Sequence, residues 1–439
     1  MRLLVRAGKM PETVLSPEVS LGIRPWGIFG SNAGNLLFSE GVIRALSTPT
    51  TTILPDSFTL ENSPNPKLMA QSVNDGFDKL ILPLANAFRQ EWIGKLRRLT
   101  KLIRNLKIPV VITGVGAQQP LDGTVGHSGM NEKLDTAVKS FVSAVLDHSA
   151  IIGVRGEFTA EYLKNLGFSS ESIRIIGCPS LFMHGENLAI EKKPLTSSSP
   201  LAFSTARSVR GSGAFISKIS QQYPQAHFIG QGIDELALLL WGQPFPKIKD
   251  KRLVSSPSHP LYQQNRVRFF IDPTTWIQYM KTRSFSIGTR IHGSIAAILA
   301  GTPAYVCCHD SRTLEIAKFH SLPHMKISSL AEVPAIERVY EQIDVSVVEA
   351  AHAANFANYK LFLESNGLEH VWMPEKNNVE YVSSLAAIPY PPPVEPLGFD
   401  NLSLFSRLQY LRGDSIMDAE RASQFYEFPF NPQQPSEKV

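Results

Sequence analysis

The stretch SFSIGTRIHGSIAAILAGTPAYVC, residues 284–307, reads as a complete folding unit: strand, turn, buried helix, turn, strand. The first strand ends at Gly288. Ile295, Ile298 and Leu299 then recur at helical spacing, and Gly301 and Pro303 stop the helix. The turn carries two polar side chains, Arg290 and His292, inside an otherwise apolar run. Arg290 therefore lies at the carboxyl end of a strand and the amino end of a helix. Unpaired N–H groups and the helix dipole favour an anion there, and a guanidinium adds a bidentate clamp. Residues i and i+2 share a face only in extended chain, so a common ligand for Arg290 and His292 predicts that 289–292 stays extended. Gly288 and Gly293 ease that approach. Taken locally, an arginine paired at the surface beside a core histidine fits the tripeptide equally well.

Outward from this unit the same alternation repeats. Strands are predicted at 26–30, 79–85, 108–118, in AIIGVRG (150–156) and in IRIIGCPSL (173–181), with amphipathic helices between them. The stretch 187–200 is rich in charge, serine and proline and has no periodicity, so it reads as a linker. Alternation resumes over 201–372, ending in a long helix near 346–366 that is placed to cross back onto the first domain. The pattern predicts two Rossmann-like α/β domains, 1–186 and 201–372, facing a cleft. Residues 373–439 read as a proline-rich, partly disordered tail with one short helix near 401–411.

Composition agrees with this reading and excludes several classes. A chain of 439 residues is too long for one ordinary core, and 43% hydrophobic residues supply material for two. A net charge of +4, from 43 basic and 39 acidic residues, leaves no electrostatic footprint for nucleic acid. Cys178, Cys307 and Cys308 have neither disulfide nor zinc spacing, so a reducing compartment and no metal are expected. The apolar run Leu3–Val5 is too short for a signal peptide core, and no run reaches a membrane span. A cytoplasmic protein is expected. The helix carrying Lys95, Arg97, Arg98, Lys101, Arg104 and Lys107 offers either a solvated face or a surface for peripheral membrane contact.

GTRIHGSIAAILAGTP resembles the signature of the polysaccharide pyruvyl transferase family. SNAGNLLFSEGVIRAL, AIIGVRGEFTAEYLKNLG, IIGCPSLF and NYKLFLESNGL resemble four further family segments in matching order, together spanning about residues 31–367. The resemblance implies a GT-B-like two-domain fold and transfer of pyruvate from phosphoenolpyruvate onto a sugar or lipid-linked glycan acceptor as a cyclic ketal. Phosphoenolpyruvate then serves as substrate, and no cofactor is required. Two positions depart from the family pattern: Asn35 and Cys178 stand where aspartates are found. Asn35 retains the capacity to cap a helix, but a carboxylate role is lost at both.

On this reading Arg290 and His292 are the catalytic candidates. Arg207 and Arg210, in the loop after the second domain's first strand, are candidates for the donor side with Gly288 and Gly293. Asn32, Asn35, Gly116 and Arg155 fall on the acceptor or supporting side. Nearby positive charge disfavours protonation of His292, which favours a base. His127, His148, His309 and His320 read as surface or helix-end histidines. A nucleotide-sugar glycosyltransferase of the same shape and a non-catalytic glycan-binding relative are the alternative readings.

Overall fold

The computed structural model describes residues 1–23, 27–121 and 131–398. Twelve short strands are named here in chain order: β1 (Arg2–Val5), β2 (Thr52–Pro55), β3 (Lys79–Pro83), β4 (Val110–Thr113), β5 (Ile152–Val154), β6 (Ile173–Ile175), β7 (Leu201–Ser204), β8 (His227–Gly230), β9 (Val267–Phe269), β10 (Phe285–Gly288), β11 (Ala304–Cys308) and β12 (His324–Lys326). The first sheet is parallel, in the order β2-β1-β3-β4. A parallel bridge between Val115 and Val154 extends it to the pair β5-β6. The second sheet is also parallel, in the order β12-β11-β10-β7-β8-β9. This is the doubly wound order, and it reverses between β7 and β10. The first sheet reverses between β1 and β3. Such reversals leave a crevice at the strands' carboxyl ends, because the connecting helices diverge to opposite faces.

The sequence reading placed a strand at 26–30. Instead, Gly27–Phe29 forms a turn of 3-10 helix, because Gly27 and Gly30 take φ of +63° and +53°, which no strand accommodates. The strand that the first sheet needs is β1, three buried apolar residues after Arg2, lying between β2 and β3. Complete burial on both faces lets so short a run suffice. The segment read as one strand over 173–181 is shorter: β6 stops at Ile175, Gly177 takes φ of +67°, and Pro179–Phe182 forms a 3-10 turn.

The helix Val345–Ser365 leaves the second sheet and buries Phe356, Tyr359, Phe362 and Leu363 with Leu3, Val5, Val42 and Ile43 beneath the first. Phe182 stacks on Tyr359 at 5.1 Å and Phe356 meets Trp372 edge-on at 4.7 Å. Each such aromatic burial contributes about 1.5–3 kcal/mol. The chain then returns as a strap. The helix Val379–Ala387 is followed by Val394, which exchanges both backbone hydrogen bonds with Phe269 on the edge strand β9. Arg268 and Glu395 pair beside it at 2.8 Å. The strap closes an edge that otherwise presents unpaired N–H and C=O groups. The helix expected near 401–411, and His127, lie outside the described residues. Among the described residues, no helix is long and apolar enough to cross a membrane.

A buried ion pair also ties the two sheets' layers together. Lys9, just after β1, donates to Asp272 Oδ2 and to the Thr13 carbonyl, both at 2.9 Å. Asp272 caps the helix Pro273–Lys281 through Thr274 N–H. Lys9→Met strands the Asp272 carboxylate in the interior and is expected to cost about 3–5 kcal/mol in urea denaturation. Adding Asp272→Asn keeps the cap and removes the second charge, so the double variant should recover most of that loss. A single variant as stable as wild type would refute this account of the joint.

Candidate active site

The crevices of both sheets open on one cavity of about 600 Å³. Arg6 after β1 and Leu84, Ala85 and Asn86 after β3 line it from the first sheet. Arg207 after β7, Gln231 to Glu235 after β8, Thr289 to His292 after β10, and Arg312 after β11 line it from the second. The two halves meet at its rim, where Ala33 N–H donates to the Gln231 carbonyl at 2.8 Å and Asn32 bridges Gly232. Two lining residues are strained. Ser31 and Ala85 hold φ of +84° and +44° without being glycine, at a cost of about 1–3 kcal/mol each.

The turn after β10 is built by backbone fit. Gly288 takes φ of +155°, and a β-carbon there would lie 1.9 Å from the Ser204 carbonyl oxygen, so only glycine lets β10 and β7 run this close. Thr289 N–H then donates to Ser204 O, and Thr289 Oγ1 accepts from Ala206 N–H at 2.8 Å, which locks the ends of the two strands together. Arg290 is the extended cap residue, with φ −93° and ψ 101°, and the helix Ile291–Leu299 begins immediately after it. The expectation of extended chain through His292 is therefore corrected. The change of direction at the cap, rather than a period of two, brings both side chains to the cavity.

His292 is buried, and its Nε2 has no hydrogen-bond partner. Burial, followed by the charges of Arg155, Arg312 and Arg290, holds it well below the ordinary histidine range, so the imidazole is neutral near pH 7. Its other ring nitrogen packs against the start of the helix Gly34–Leu46, where a β-carbon on Gly34 would come within 2.2 Å of Nδ1.

Arg155 lies at the cavity floor with its side chain closed to water. Its Nε donates to the Gly114 carbonyl at 2.8 Å, but Nη1 and Nη2 have no acceptor. The guanidinium stacks over Phe38 at 5.1 Å. Burial pulls it down to about 10. Arg290 is also lowered, first by burial, with Glu235 opposing and Arg312 and Arg207 reinforcing the shift. Arg312 gives one nitrogen to Asp310 at 3.0 Å, and its buried Nε is without a partner. Gln231 Nε2 is likewise a buried donor without a partner on the cavity wall, and Arg89 Nε there has only a 3.7 Å ion pair with Glu91; Asn86 Oδ1 is a buried acceptor without a partner. Buried polar groups are almost always satisfied, so orphaned donors gathered round one cavity point to an anionic ligand that completes them.

The other sequence candidates divide. Arg207 lines the rim, half-exposed and paired with Asp234 at 2.7 Å. Arg210 does not line the cavity; it is exposed and faces Glu332. Gly288 and Gly293 sit behind the wall and act by close approach, Gly293 against Ser204 Oγ and Gln231 Nε2. Gly116 also lies behind it, leaving room for Arg155 Cδ, which a β-carbon would meet at 2.9 Å.

Asn32 and Asn35 line the cavity with exchanged roles. Asn32 Oδ1 accepts the Gly34 N–H at 2.8 Å, whereas Asn35 lies inside the helix and its Nδ2 donates to the carbonyls of Phe29 and Gly30. An aspartate could not make those two donations, which accounts for the amide. Cys178 is fully buried against Ser180 Oγ at 2.9 Å, and burial keeps its thiol protonated. It therefore places no negative charge opposite Arg155.

His320 is buried at the end of the helix Ser311–Phe319 and accepts the Cys178 N–H at 2.8 Å. Arg6, Arg89 and Arg312 were missed in the sequence. Arg312 had the same signal as Arg290, a strand end followed by a helix start. Arg6 was hidden with β1, and it pairs with Glu61, which also binds Lys95 at 2.9 Å. Lys95 therefore turns inward from the basic helix, whose Arg97, Lys101, Arg104 and Lys107 stay exposed. Among the described residues, no group of three or more His, Cys, Asp or Glu side chains is placed to hold a metal.

The sequence profile of the polysaccharide pyruvyl transferase family matches residues 32–311, and the chain belongs to that family of transferases. Comparison with curated proteins gives no match. Similar solved structures include a UDP-GlcNAc 2-epimerase of Methanocaldococcus jannaschii in complex with UDP-GlcNAc and UDP. It is 13% identical, with 82% of this chain and 100% of that one covered and a TM-score of 0.42. Anabaena HepE in complex with UDP and glucose is 11% identical, covering 88% and 100%, with a TM-score of 0.39. Staphylococcus aureus MnaA with UDP is 10% identical, covering 89% and 99%, with a TM-score of 0.40.

Gly34→Ala tests the packing that aims His292. The added methyl overlaps the imidazole and displaces it by the order of 1 Å, which should lower turnover roughly 100-fold. Thermal unfolding and circular dichroism should show the fold retained. Unimpaired turnover in the folded variant would mean that the position of His292 is not critical.

Proposed function

We propose that the enzyme transfers pyruvate from phosphoenolpyruvate to two hydroxyls of a sugar or lipid-linked glycan, forming a cyclic ketal. The observation that carries this reading is the pair of under-paired guanidinium ions, Arg155 and Arg312, with Arg290 beside them, around a neutral His292 whose Nε2 has no partner. Phosphoenolpyruvate is a compact trianion. A site that binds it needs fixed positive charge in excess of carboxylate, and the lining sets Arg6, Arg89, Lys95, Arg155, Arg207, Arg290 and Arg312 against Glu91, Asp234 and Glu235.

In this mechanism Arg155, Arg290 and Arg312 hold the phosphate and carboxylate, with Arg207 at the rim. Asn32 and Asn35 border the acceptor side. Protonation of the methylene carbon makes the central carbon oxocarbenium-like, and the first sugar hydroxyl adds to it. Phosphate then leaves with the bridging oxygen, and the second hydroxyl closes the ring. The protons balance: two hydroxyl protons are released, one matched by the methyl group formed and one by the departing phosphate. The neutral imidazole is suited to receive the hydroxyl protons as base. The arginines stabilise the phosphate charge as it separates. The enzyme would work in the cytoplasm, where phosphoenolpyruvate is made.

The test is phosphate release from phosphoenolpyruvate with a panel of sugar and glycan acceptors. His292→Ala should lower kcat by about 10²–10⁴-fold. Arg290→Ala should raise the KM for phosphoenolpyruvate and lower kcat by about 100-fold or more. Acceptor-dependent release that is unchanged in both variants would overturn the site assignment.

A further inference from the structure

The cavity floor is also the joint between the two halves, and the joint contains a carboxyl group that the proposed reaction does not use. The helix Ser311–Phe319 of the second sheet docks onto residues 117–120 of the first. Ser311 N–H donates to the Gln119 carbonyl, Ser311 Oγ donates to the Ala117 carbonyl and accepts from Gln119 N–H, all at 2.9 Å. Asp310 caps this helix and bridges Pro120. One turn later the helix directs Glu315 into the first half. There its carboxyl accepts from Thr159 N–H at 3.0 Å and from Thr159 Oγ1 at 2.8 Å, at the start of the helix Glu157–Asn165.

The fit is close. A β-carbon on Gly156 would lie 2.5 Å from Glu315 Cβ. A β-carbon on Gly116 would touch Glu315 Oε1 at 3.1 Å and Arg155 Cδ at 2.9 Å, so the carboxyl and the arginine side chain flank one glycine. The terminal nitrogens of Arg155 have no acceptor, so Glu315 acts on the guanidinium through its charge and packing rather than through a hydrogen bond.

We infer that Glu315 is a positioning residue for Arg155, and that it takes up a proton as the cavity takes an anion. An ionised Glu315 balances part of the Arg155 charge and competes with the ligand for it. A protonated Glu315 keeps the bonds to Thr159 and leaves the guanidinium's charge to the anion. By linkage, a bound anion favours the protonated form to the same extent that the proton favours anion binding. This inference rests on the reading of Arg155 as a ligand for the donor anion.

The surroundings support it. Burial pushes the Glu315 carboxyl up to about 8, against the pull of the Thr159 bonds and Arg155 and with the help of Asp310. The charged groups at the joint are Arg155 from the first half and Asp310 and Arg312 from the second. Arg155 also faces Cys178, whose thiol is neutral.

Two measurements on wild type and Glu315→Gln test the inference. The first needs no ligand. A carboxyl that keeps its proton to about pH 8 when folded, but releases it near pH 4.5 when unfolded, weakens the fold as pH rises between those values. The wild-type melting temperature should therefore fall relative to Glu315→Gln by roughly 2 °C or more between pH 5 and 8. Parallel profiles would overturn protonation of Glu315. If Glu315→Gln does not fold, Thr159→Val is the second variant. Losing one bond to the carboxylate should move the wild-type inflection to higher pH, and an unmoved inflection would count against the inference.

The second measurement is calorimetric binding of phosphoenolpyruvate, and separately of inorganic phosphate, from pH 7.5 to 9. The wild-type Kd should rise roughly 5- to 10-fold over that range, and the Glu315→Gln Kd less than about twofold. Equal rises would overturn the coupling. Failure of both anions to bind would overturn the donor reading instead, while the ligand-free profiles would still decide the state of Glu315.

Discussion

The structure is organised around positive charge that the protein itself does not neutralise. Arg155 is closed to water, and the terminal nitrogens of its guanidinium have no acceptor. An unpaired buried ion costs several kcal/mol, and chains normally avoid it by pairing or by exposure. Here the surroundings mitigate the cost only in part, through the Gly114 carbonyl and the face of Phe38. The remainder is a standing affinity for an anion. It also reinforces the neutrality of His292, whose charging burial opposes first and the three guanidinium groups oppose further.

Two uncharged side chains, at positions 178 and 35, leave that arrangement intact. An aspartate at position 178 would lie within electrostatic reach of Arg155 and offset its charge; the buried thiol does not. Asn35 puts no carboxylate at the cavity wall either, and its amide donates to the carbonyls of Phe29 and Gly30. Neither side chain adds negative charge beside the arginines. They fit a cavity whose positive charge the chain leaves unbalanced, with Arg290, His292 and Arg155 together around it.

How much of this was legible in the sequence depended on how local each signal was. The unit 284–307 carried its own fold, because burial, helical spacing and stop residues all lay within 24 residues. Arg290 and His292 were visible for the same reason. β1 was not, because a four-residue strand flanked by arginines becomes a strand only when β2 and β3 cover both its edges. With β1 went Arg6 and the first sheet's reversal point. Arg210 looked equivalent to Arg207, three residues away in the same loop, and only the loop's path separates one at the cavity rim from the other facing Glu332. The role exchange between Asn32 and Asn35 was illegible for a similar reason. Both are amides near a helix start, and the choice between accepting and donating was made by carbonyls that the loop brings back.

The ties between the halves decide what kind of motion the cavity permits. The Lys9–Asp272 pair, the helix Val345–Ser365 and the strap ending at Val394 all join the halves or cover their edges away from the cavity floor. At the floor, the contacts through Ser311 and Glu315 are hydrogen bonds to backbone and hydroxyl groups rather than apolar packing. Apolar cores resist sliding because every shift opens voids, whereas a hydrogen-bonded seam reorders with small losses when charge at its edge changes. A rearrangement driven by an arriving anion would therefore be confined to the seam that holds Arg155 and Arg312. Their guanidinium groups would move a short way against a fixed frame, and the opposite wall, with Asn32 just before the helix Gly34–Leu46 and Asn35 in its first turn, would keep its place.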